Sequence, residues 1–447
     1  MSKIKQVIKR TGALVPFNRE RISNAIYRAA VAVGGRDRQT AERLAAQVVG
    51  LLEKETPEGA PPTVEDVQNV VERVLIMNGH ARTAKAYILY RDERTRRRDQ
   101  RASRSARSAE NIPWRKIWEV LDWASRYDLD SVESLAARLE RGEFAQIVHE
   151  SEKAYQEDIV CAAEMMRERR QQLKVVIIAG PSSSGKTTTT IKLGQLLQAM
   201  GLSLVPLTVD HYFFDLEMHP KDEHGDYDYE TPQALDLGLI NEHLVDLIAG
   251  KEVRIPLYDF KTGRQYRDHT PMRIGENDVI LIDSLHGLYE PMTQDVPAEK
   301  KFRLYIEPLL QMRGVTGRYL RWTDLRLMRR MVRDQAFRAY DPQSTLEHWH
   351  YVRASEMRNI FPNIGSTDYI VNSAMPYELP VMKARLFERF QAWPALYEKD
   401  PLRQDAFERA VRVGNMLQSI PSIADEDVIP QDSLLREFIG GSCYDYH

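Results

Sequence analysis

Val175 to Thr190, VVIIAGPSSSGKTTTT, decides the fold of the larger part of this chain. Val175–Ala179 is a short, wholly apolar, β-branched run, as a parallel strand buried on both faces carries. Gly180 then opens the spacing G-x-x-x-x-G-K-T, completed by Gly185, Lys186 and Thr187. The spacing meets a physical demand: backbone N–H groups converge on phosphate oxygens only where the chain wraps closely, and glycine permits that wrap. A helix starting near Lys186 turns the positive end of its dipole to the same point, Lys186 adds a mobile cation, and Thr187 offers a hydroxyl to a divalent ion. Ser182, Ser183, Ser184 and Thr188 complete the expected phosphate site. The bland reading, a Ser/Gly-rich linker, is disfavoured by the strand before the loop and the helix after it.

Outward from this loop, KVVIIAG, LSLVPLTVD, DVILIDS and FRLYIEP read as strands with helical segments between them. That alternation argues an α/β fold with a parallel sheet covered on both faces. Before it, VIKRTGALVPFNRERI reads as a β-hairpin around Thr11 and Gly12 followed by helices. Ile22, Ala25, Ile26 and Ala29 share one helical face, as do Val67, Val70, Val71 and Val74, making a compact α+β module. RDERTRRRDQRASRSARS, from Arg91 to Ser108, has almost no apolar residue and reads as a solvated helix end and linker, or alternatively as a nucleic-acid arm. Ile117, Val120, Leu121 and Ala124 then recur at helical spacing. Beyond Pro380 the chain reads as helices, the last one within DSLLREFIGGS, with Asp432 or Ser433 as cap and Gly440 as stop. The expected domains are residues 1–94, a linker and helical segment 95–172, a core domain 173–380 and a helical extension 381–447.

Bulk properties exclude little. The 447 residues carry a net charge of -3 and 43% hydrophobic residues, ordinary for a globular protein and no global argument for nucleic acid or membrane. Cys161 and Cys443 form no paired motif, so a reduced, cytoplasmic compartment is expected. MSKIKQVIKR is basic without a following apolar core, and no window approaches the ~20 apolar residues of a membrane span. His348 and His350 flank Trp349, but the histidines give no metal-binding pair of the H-E-x-x-H kind.

Ligands of parallel sheets bind beyond the carboxyl ends of the strands. Asp210 ends LSLVPLTVD and Asp283 ends DVILID, so both are candidates for the chemistry. Asp283 has the setting of a carboxylate that reaches Mg²⁺, and Asp210, followed by the aromatics of HYFFD, that of a base at an acceptor hydroxyl. Either residue read blandly is a cap at a strand end. In TDLRLMRRMVRDQAFR, Arg326, Arg330 and Arg333 share a helical face, with Arg329 beside them. Such a cluster suits a lid over polyphosphate, the alternative being a solvated basic face.

At these residues the chain resembles the uridine kinase and phosphoribulokinase superfamily, in its long bacterial nucleoside-kinase branch. The similarity runs from about Leu173 to Ser442 through AGPSSSGKTTTT, LTVDHYFFD, YDYETPQALD, IPLYDFKTGR, LIDSLHGLY, TDLRLMRRMVRD, EMRNIFPNI and SLLREFIGGS. The resemblance implies transfer of the γ-phosphoryl group of ATP, with Mg²⁺, to a hydroxyl, typically the 5′-OH of a ribonucleoside. It implies Asp210 as catalytic base with Lys186 as the catalytic cation, Thr187, Asp210 and Asp283 around the metal, and Glu230 on ribose hydroxyls. It further implies Tyr212, Tyr258 and Phe260 around the acceptor, Arg326 as a substrate-side arginine, and Arg329, Arg330 and Arg333 as the phosphate lid. Uridine and cytidine kinases usually carry histidine where this chain has Gly263, Asp at Glu230, and Glu-Gly at Asp283-Ser284. Loss of that histidine removes a base-reading group and leaves another nucleoside or a non-nucleoside polyol open as acceptor.

The segment from about Ile4 to Glu93, with VIKRTGALVPFNRERI and HARTAKAYILYR at its ends, resembles an ATP-cone, the nucleotide-sensing domain of ribonucleotide reductases and their repressor. The resemblance implies Lys9 and Arg10 as contacts of a regulatory ATP or dATP. The expectation is therefore an allosterically regulated kinase, a homo-oligomer acting on a small hydroxyl compound. A kinase of a sugar, polyol or acid is the second reading, and a nucleotide-responsive nucleic-acid-binding regulator the third. A GTPase is disfavoured because no N-K-x-D motif occurs.

Overall fold

The computed structural model describes residues 4–8, 14–31, 33, 35, 37–56, 61–88, 111–219, 231–400 and 403–446. They fall into two compact units, one within 1–107 with 398–404, the other within 108–397 and 405–447.

In the first unit β1 (Gln6–Ile8) pairs antiparallel with β2 (Leu14–Pro16), the hairpin read from the sequence. Helices α1 (Arg19–Val31), α2 (Arg38–Glu55) and α3 (Val64–Met77) follow. Their stripes meet in one core: Ile22, Ile26 and Ala29 of α1 pack with Leu44, Val48 and Leu52 of α2 and Val70, Val71 and Val74 of α3. Helix α3 starts at a reciprocal cap, in which Thr63 accepts from the Asp66 amide at 3.1 Å and Asp66 accepts from the Thr63 amide at 2.8 Å. Lys9 and Arg10 lie outside the described residues, as does the whole arginine-rich linker from Arg91 to Ser108.

The second unit opens with α4 (Trp114–Arg126), α5 (Val132–Glu140) and α6 (Phe144–Glu168). Next come β3 (Val175–Ala179), α7 (Lys186–Ala199), β4 (Ser203–Pro206), α8 (Leu237–Ile248), β5 (Val253–Asp259), β6 (Arg264–Met272), β7 (Asp278–Ser284) and β8 (Lys301–Glu307). Helices α9 (Trp322–Phe337) and α10 (Pro342–Asn359), strand β9 (Tyr369–Asn372), and helices α11 (Glu378–Tyr397), α12 (Gln404–Gln418) and α13 (Arg436–Ile439) complete it.

Five strands form a parallel sheet in the order β4-β7-β3-β8-β9, with β3 at its centre. The central position explains the unbroken apolar run. Val176 and Ile178 face a core shared with Ile159 and Met166 of α6 and Leu193 of α7, whereas Val175 and Ile177 face one shared with Ile240 and Leu244 of α8. Each fully buried Val or Ile contributes roughly 1.5–3 kcal/mol, so a charged residue at any of them would break the sheet.

Three features differ from the sequence reading. Strand β9 has only four residues, YIVN, too short for periodicity to declare it. The β5–β6 hairpin stands apart from the main sheet, and β6 is largely exposed, so it carries no apolar alternation. The terminal helix is a single turn, stopped by Gly440 at φ 91°.

Candidate active site

Residue spacing in the sheet brings the chemistry together. In the pairing of β3 with β7, Ile178 lies opposite Asp283 and Ala179 opposite Ser284, so the phosphate-type loop and Asp283 leave adjacent strand ends. Beyond β4, a 3₁₀ turn over Val209–Tyr212 carries Asp210.

The loop has the form that an anion requires. Ser183, at φ 58°, and Gly185, at φ 89°, are both left-handed, a backbone pattern that gathers successive N–H groups into a concave nest. A Cβ at Gly180 would stand 2.4 Å from the Ile306 carbonyl oxygen, and one at Gly185 2.3 Å from Leu434 Cδ1, so neither position tolerates a side chain. Ser182, Ser183, Ser184, Gly185, Lys186 and Thr187 line a cavity of about 160 Å³, closed by Leu285, Arg333 and Glu437. The hydroxyls of Ser183 and Ser184 are buried and accept or donate no hydrogen bond among the described residues. A polyphosphate supplies acceptors for such orphaned donors, so the donor set fits it.

Asp210 and Asp283 both retain solvent contact at this cleft. Desolvation raises the Asp210 carboxyl above its ordinary value, the charge of Asp283 adds to that, and His211 and Lys186 oppose it. Asp283 is also raised by desolvation, against Lys186 and a 3.3 Å hydrogen bond donated by Thr190. Two carboxylates, both raised by desolvation, with an exposed threonine, Thr187, in the loop, form a donor set suited to a hard divalent cation. Among the described residues no group of three His, Cys, Asp or Glu gathers.

The arginines divide, and two correct the sequence expectation. Arg326 is fully buried: its guanidinium makes a double contact with Glu356, at 2.6 and 2.7 Å, and donates to the Ser182 carbonyl at 3.0 Å. Burial works against a charged Glu356, but Arg326 outweighs it and holds the carboxyl below its ordinary value. Arg329 is likewise fully buried, on Glu378 at 2.6 and 2.5 Å and on the Ser373 carbonyl at 2.6 Å. Neither has a face left for an acceptor or nucleotide. Helical periodicity set them on one side but carried no information about the glutamates waiting there. Arg330 reaches Ser182 Oγ at 3.3 Å and Arg333 lines the cavity, so these two stand where a lid would.

Thr188 and Tyr212 are corrected too. The Thr188 amide and hydroxyl both donate to Glu437 Oε2, at 3.2 and 2.7 Å. Tyr212 is fully buried with its hydroxyl at 2.8 Å from His243 Nδ1, a core residue turned from the cleft by the 3₁₀ turn. Its neighbour Phe213 joins the other two aromatics, with its ring 5.5 Å from Tyr258 and 6.2 Å from Phe260, themselves 4.9 Å apart edge to face. Phe260 keeps 67% of its surface exposed, leaving an open aromatic wall. Gly263, at φ 67°, donates to Asp259 O at 2.8 Å, and a Cβ there would meet Leu216 Cβ at 2.9 Å. Histidine therefore does not fit this backbone. Glu230 lies outside the described residues. Sequence reasoning missed Phe213, Ser373 and Glu437; only Phe213, beside Asp210 in HYFFD, had a local signal.

Comparison with known proteins matches residues 5–96 to the ATP cone domain model and residues 175–379 to that of the Phosphoribulokinase / Uridine kinase family. The chain joins an ATP cone to a phosphoribulokinase/uridine kinase domain. The kinase-family part is 28% identical over 203 residues to a uridine kinase of Chloroflexus aurantiacus, covering 44% of this chain and 88% of that protein. The cone part is 42% identical over 104 residues to a vitamin B12-dependent ribonucleoside-diphosphate reductase of Thermoplasma acidophilum, covering 22% of this chain but spanning only 13% of the reductase. A solved putative fructose transport system kinase from Silicibacter sp. aligns with TM-score 0.31 and 18% identity, over 48% of this chain and 95% of that one. Among the described residues, no helix is long and apolar enough to cross a membrane.

Proposed function

We propose that the kinase-family domain transfers the γ-phosphoryl group of ATP to a hydroxyl of a small acceptor, a nucleoside first among them, under control of nucleotide bound to the ATP cone. The observation that carries this is the pairing of a left-handed, glycine-walled loop with two carboxylates, Asp283 near the end of the adjacent strand β7 and Asp210 on the 3₁₀ turn beyond β4. Phosphoryl transfer asks for positioning and charge stabilisation more than for covalent chemistry, and these residues provide both.

A Mg²⁺ ion, when bound, supplies Lewis acidity at the phosphate oxygens. Thr187 and Asp283 are the residues to hold it, with Asp210 nearby. The loop amides and the hydroxyls of Ser182, Ser183 and Ser184 orient the polyphosphate, and Lys186 and Arg333 balance its charge from either side. Asp210 accepts the proton of the acceptor hydroxyl at its carboxylate, and its raised proton affinity makes it a stronger base than an ordinary aspartate. Phe213, Tyr258 and Phe260 offer ring faces to a flat acceptor group.

Gly263 favours a second reading, a non-nucleoside sugar or polyol as acceptor, because Leu216 occupies the space that a base-reading side chain would need. The test is ADP release by the purified protein with ATP and Mg²⁺ across a panel of nucleosides, sugars and polyols. Release stimulated by nucleosides supports the first reading and release stimulated only by polyols the second. No acceptor-dependent release, with no ATP bound, would refute both.

A further inference from the structure

The phosphate-type loop is held from behind by a set of donors that neither its motif nor the family match assigns. The carbonyls of three successive residues each accept a hydrogen bond from a buried side chain. Arg326 Nη1 donates to Ser182 O at 3.0 Å, Arg329 Nη1 to Ser183 O at 3.4 Å, and Ser373 Oγ to Ser184 O at 2.5 Å. All three donors are fully buried.

The consequence follows from peptide geometry. In each peptide unit the C=O and the N–H of the next residue point in opposite directions. Tying the carbonyls of Ser182 and Ser184 outward therefore turns the amides of Ser183 and Gly185 inward, while the amide of Ser184, beyond the tied Ser183 carbonyl, closes the turn on Pro181 O at 3.2 Å. Ser183 sits at φ 58°, a conformation that costs a non-glycine residue free energy and persists only where its surroundings over-determine it. The tied carbonyls are that over-determination.

The donors are themselves locked. Arg326 is gripped by Glu356 and has Glu307 3.8 Å from its Nε, while Glu307 accepts from Tyr305 Oη at 2.8 Å and Trp322 Nε1 at 3.1 Å. Arg329 is gripped by Glu378, whose Oε1 also accepts from the Met375 amide at 3.0 Å. Helix α9, β8 and the turn after β9 thus all bear on one loop.

We infer that Arg326, Arg329 and Ser373 are positioning residues for nucleotide binding, holding the phosphate loop in its anion-receiving form before any ligand arrives. The inference rests on the reading of this loop as a triphosphate site, and the test separates the two. Binding of inorganic tripolyphosphate to the full-length protein is measured by calorimetry, for the native chain, Ser373→Ala and Arg329→Lys, beside melting temperatures and KM values for ATP and acceptor.

Ser373→Ala removes one small buried donor and leaves both arginine–glutamate pairs in place. Its Kd for tripolyphosphate and KM for ATP are expected to rise roughly three- to tenfold, the worth of one hydrogen bond, with the acceptor KM unchanged. Arg329→Lys keeps a cation for Glu378 but loses the fork, and shows the same split. If Ser373→Ala melts lower yet binds tripolyphosphate like the native chain, the residue is merely structural and the inference is overturned. If the native chain binds no tripolyphosphate, the site reading itself falls and the inference with it.

Discussion

The carboxylate of Glu437, near the end of the chain, accepts hydrogen bonds from both the amide and the hydroxyl of Thr188 in the first turn of the phosphate-loop helix. Leu434, three residues earlier, lies against Gly185, and Tyr446 Oη stands 3.1 Å from Thr188 Oγ1. The segment around Glu437 is thus part of the wall of the loop's cavity, and it places a carboxylate there.

That charge opposes a polyphosphate in the same cavity. Glu437→Gln preserves an oxygen acceptor for Thr188 and removes the charge, so nucleotide affinity should rise about fivefold, near 1 kcal/mol. Calorimetric titration with ADP checks this. Unchanged affinity would leave Glu437 as a helix cap alone.

Asp210→Asn keeps the side-chain shape at the 3₁₀ turn but removes the proton acceptor. Turnover should fall by roughly 10²–10⁴, while nucleotide affinity stays within a few-fold. Single-turnover ADP formation beside equilibrium binding separates the two effects, and native-like turnover would rule Asp210 out as the base.

Acid dependence of activity follows from the same carboxylate. Because the Asp210 carboxyl is raised above 3.8, it loses its accepting form at a higher pH than a free aspartate. The acid limb of the turnover profile in the native chain should therefore lie above the ordinary aspartate range.

Asp283 bears on stability, with the sign opposite to that of a salt-bridged acid. Its carboxyl is raised in the folded state, so the fold holds the proton more tightly than the unfolded chain. The favourable contribution is complete below 3.8 and is lost as pH climbs through the raised value. Metal-free Asp283→Asn should accordingly melt a few degrees above the native chain at neutral pH, the gap closing on acidification. Added Mg²⁺ with nucleotide should stabilise the native chain more than the variant. Differential scanning calorimetry across pH tests both.

Lys9 and Arg10 are expected to act only as sensors of nucleotide in the cone. Replacing both by alanine should shift the ATP or dATP concentration that modulates activity by about tenfold, with basal phosphorylation preserved. Complete inactivity would contradict that division of labour.

Residue by residue, local demands were legible in the sequence and the partners of charged groups were not. Gly180, Gly185 and Lys186 announce an anion loop because close wrapping restricts residue type at fixed spacing. The apolar run of β3 announces a central strand because both its faces are covered. Asp283 was found by its place at a strand end, where chain direction alone directs ligands, and Asp210 by the same expectation, although it stands on a 3₁₀ turn beyond β4.

What only the tertiary structure decided was direction. Tyr212 and Phe213 are equally aromatic neighbours, and the 3₁₀ turn buries one on His243 and leaves the other half-buried against Tyr258 and Phe260. Four arginines of α9 read as one lid, but Glu356 and Glu378, which come from helices 30 and 49 residues away in sequence, draw Arg326 and Arg329 inward. A buried cation goes where its counter-charge lies, and only folding settles where that is. Local pattern thus determined the sheet and its phosphate loop, whereas long-range charge pairing determined which side chains face the cavity and which hold it in shape.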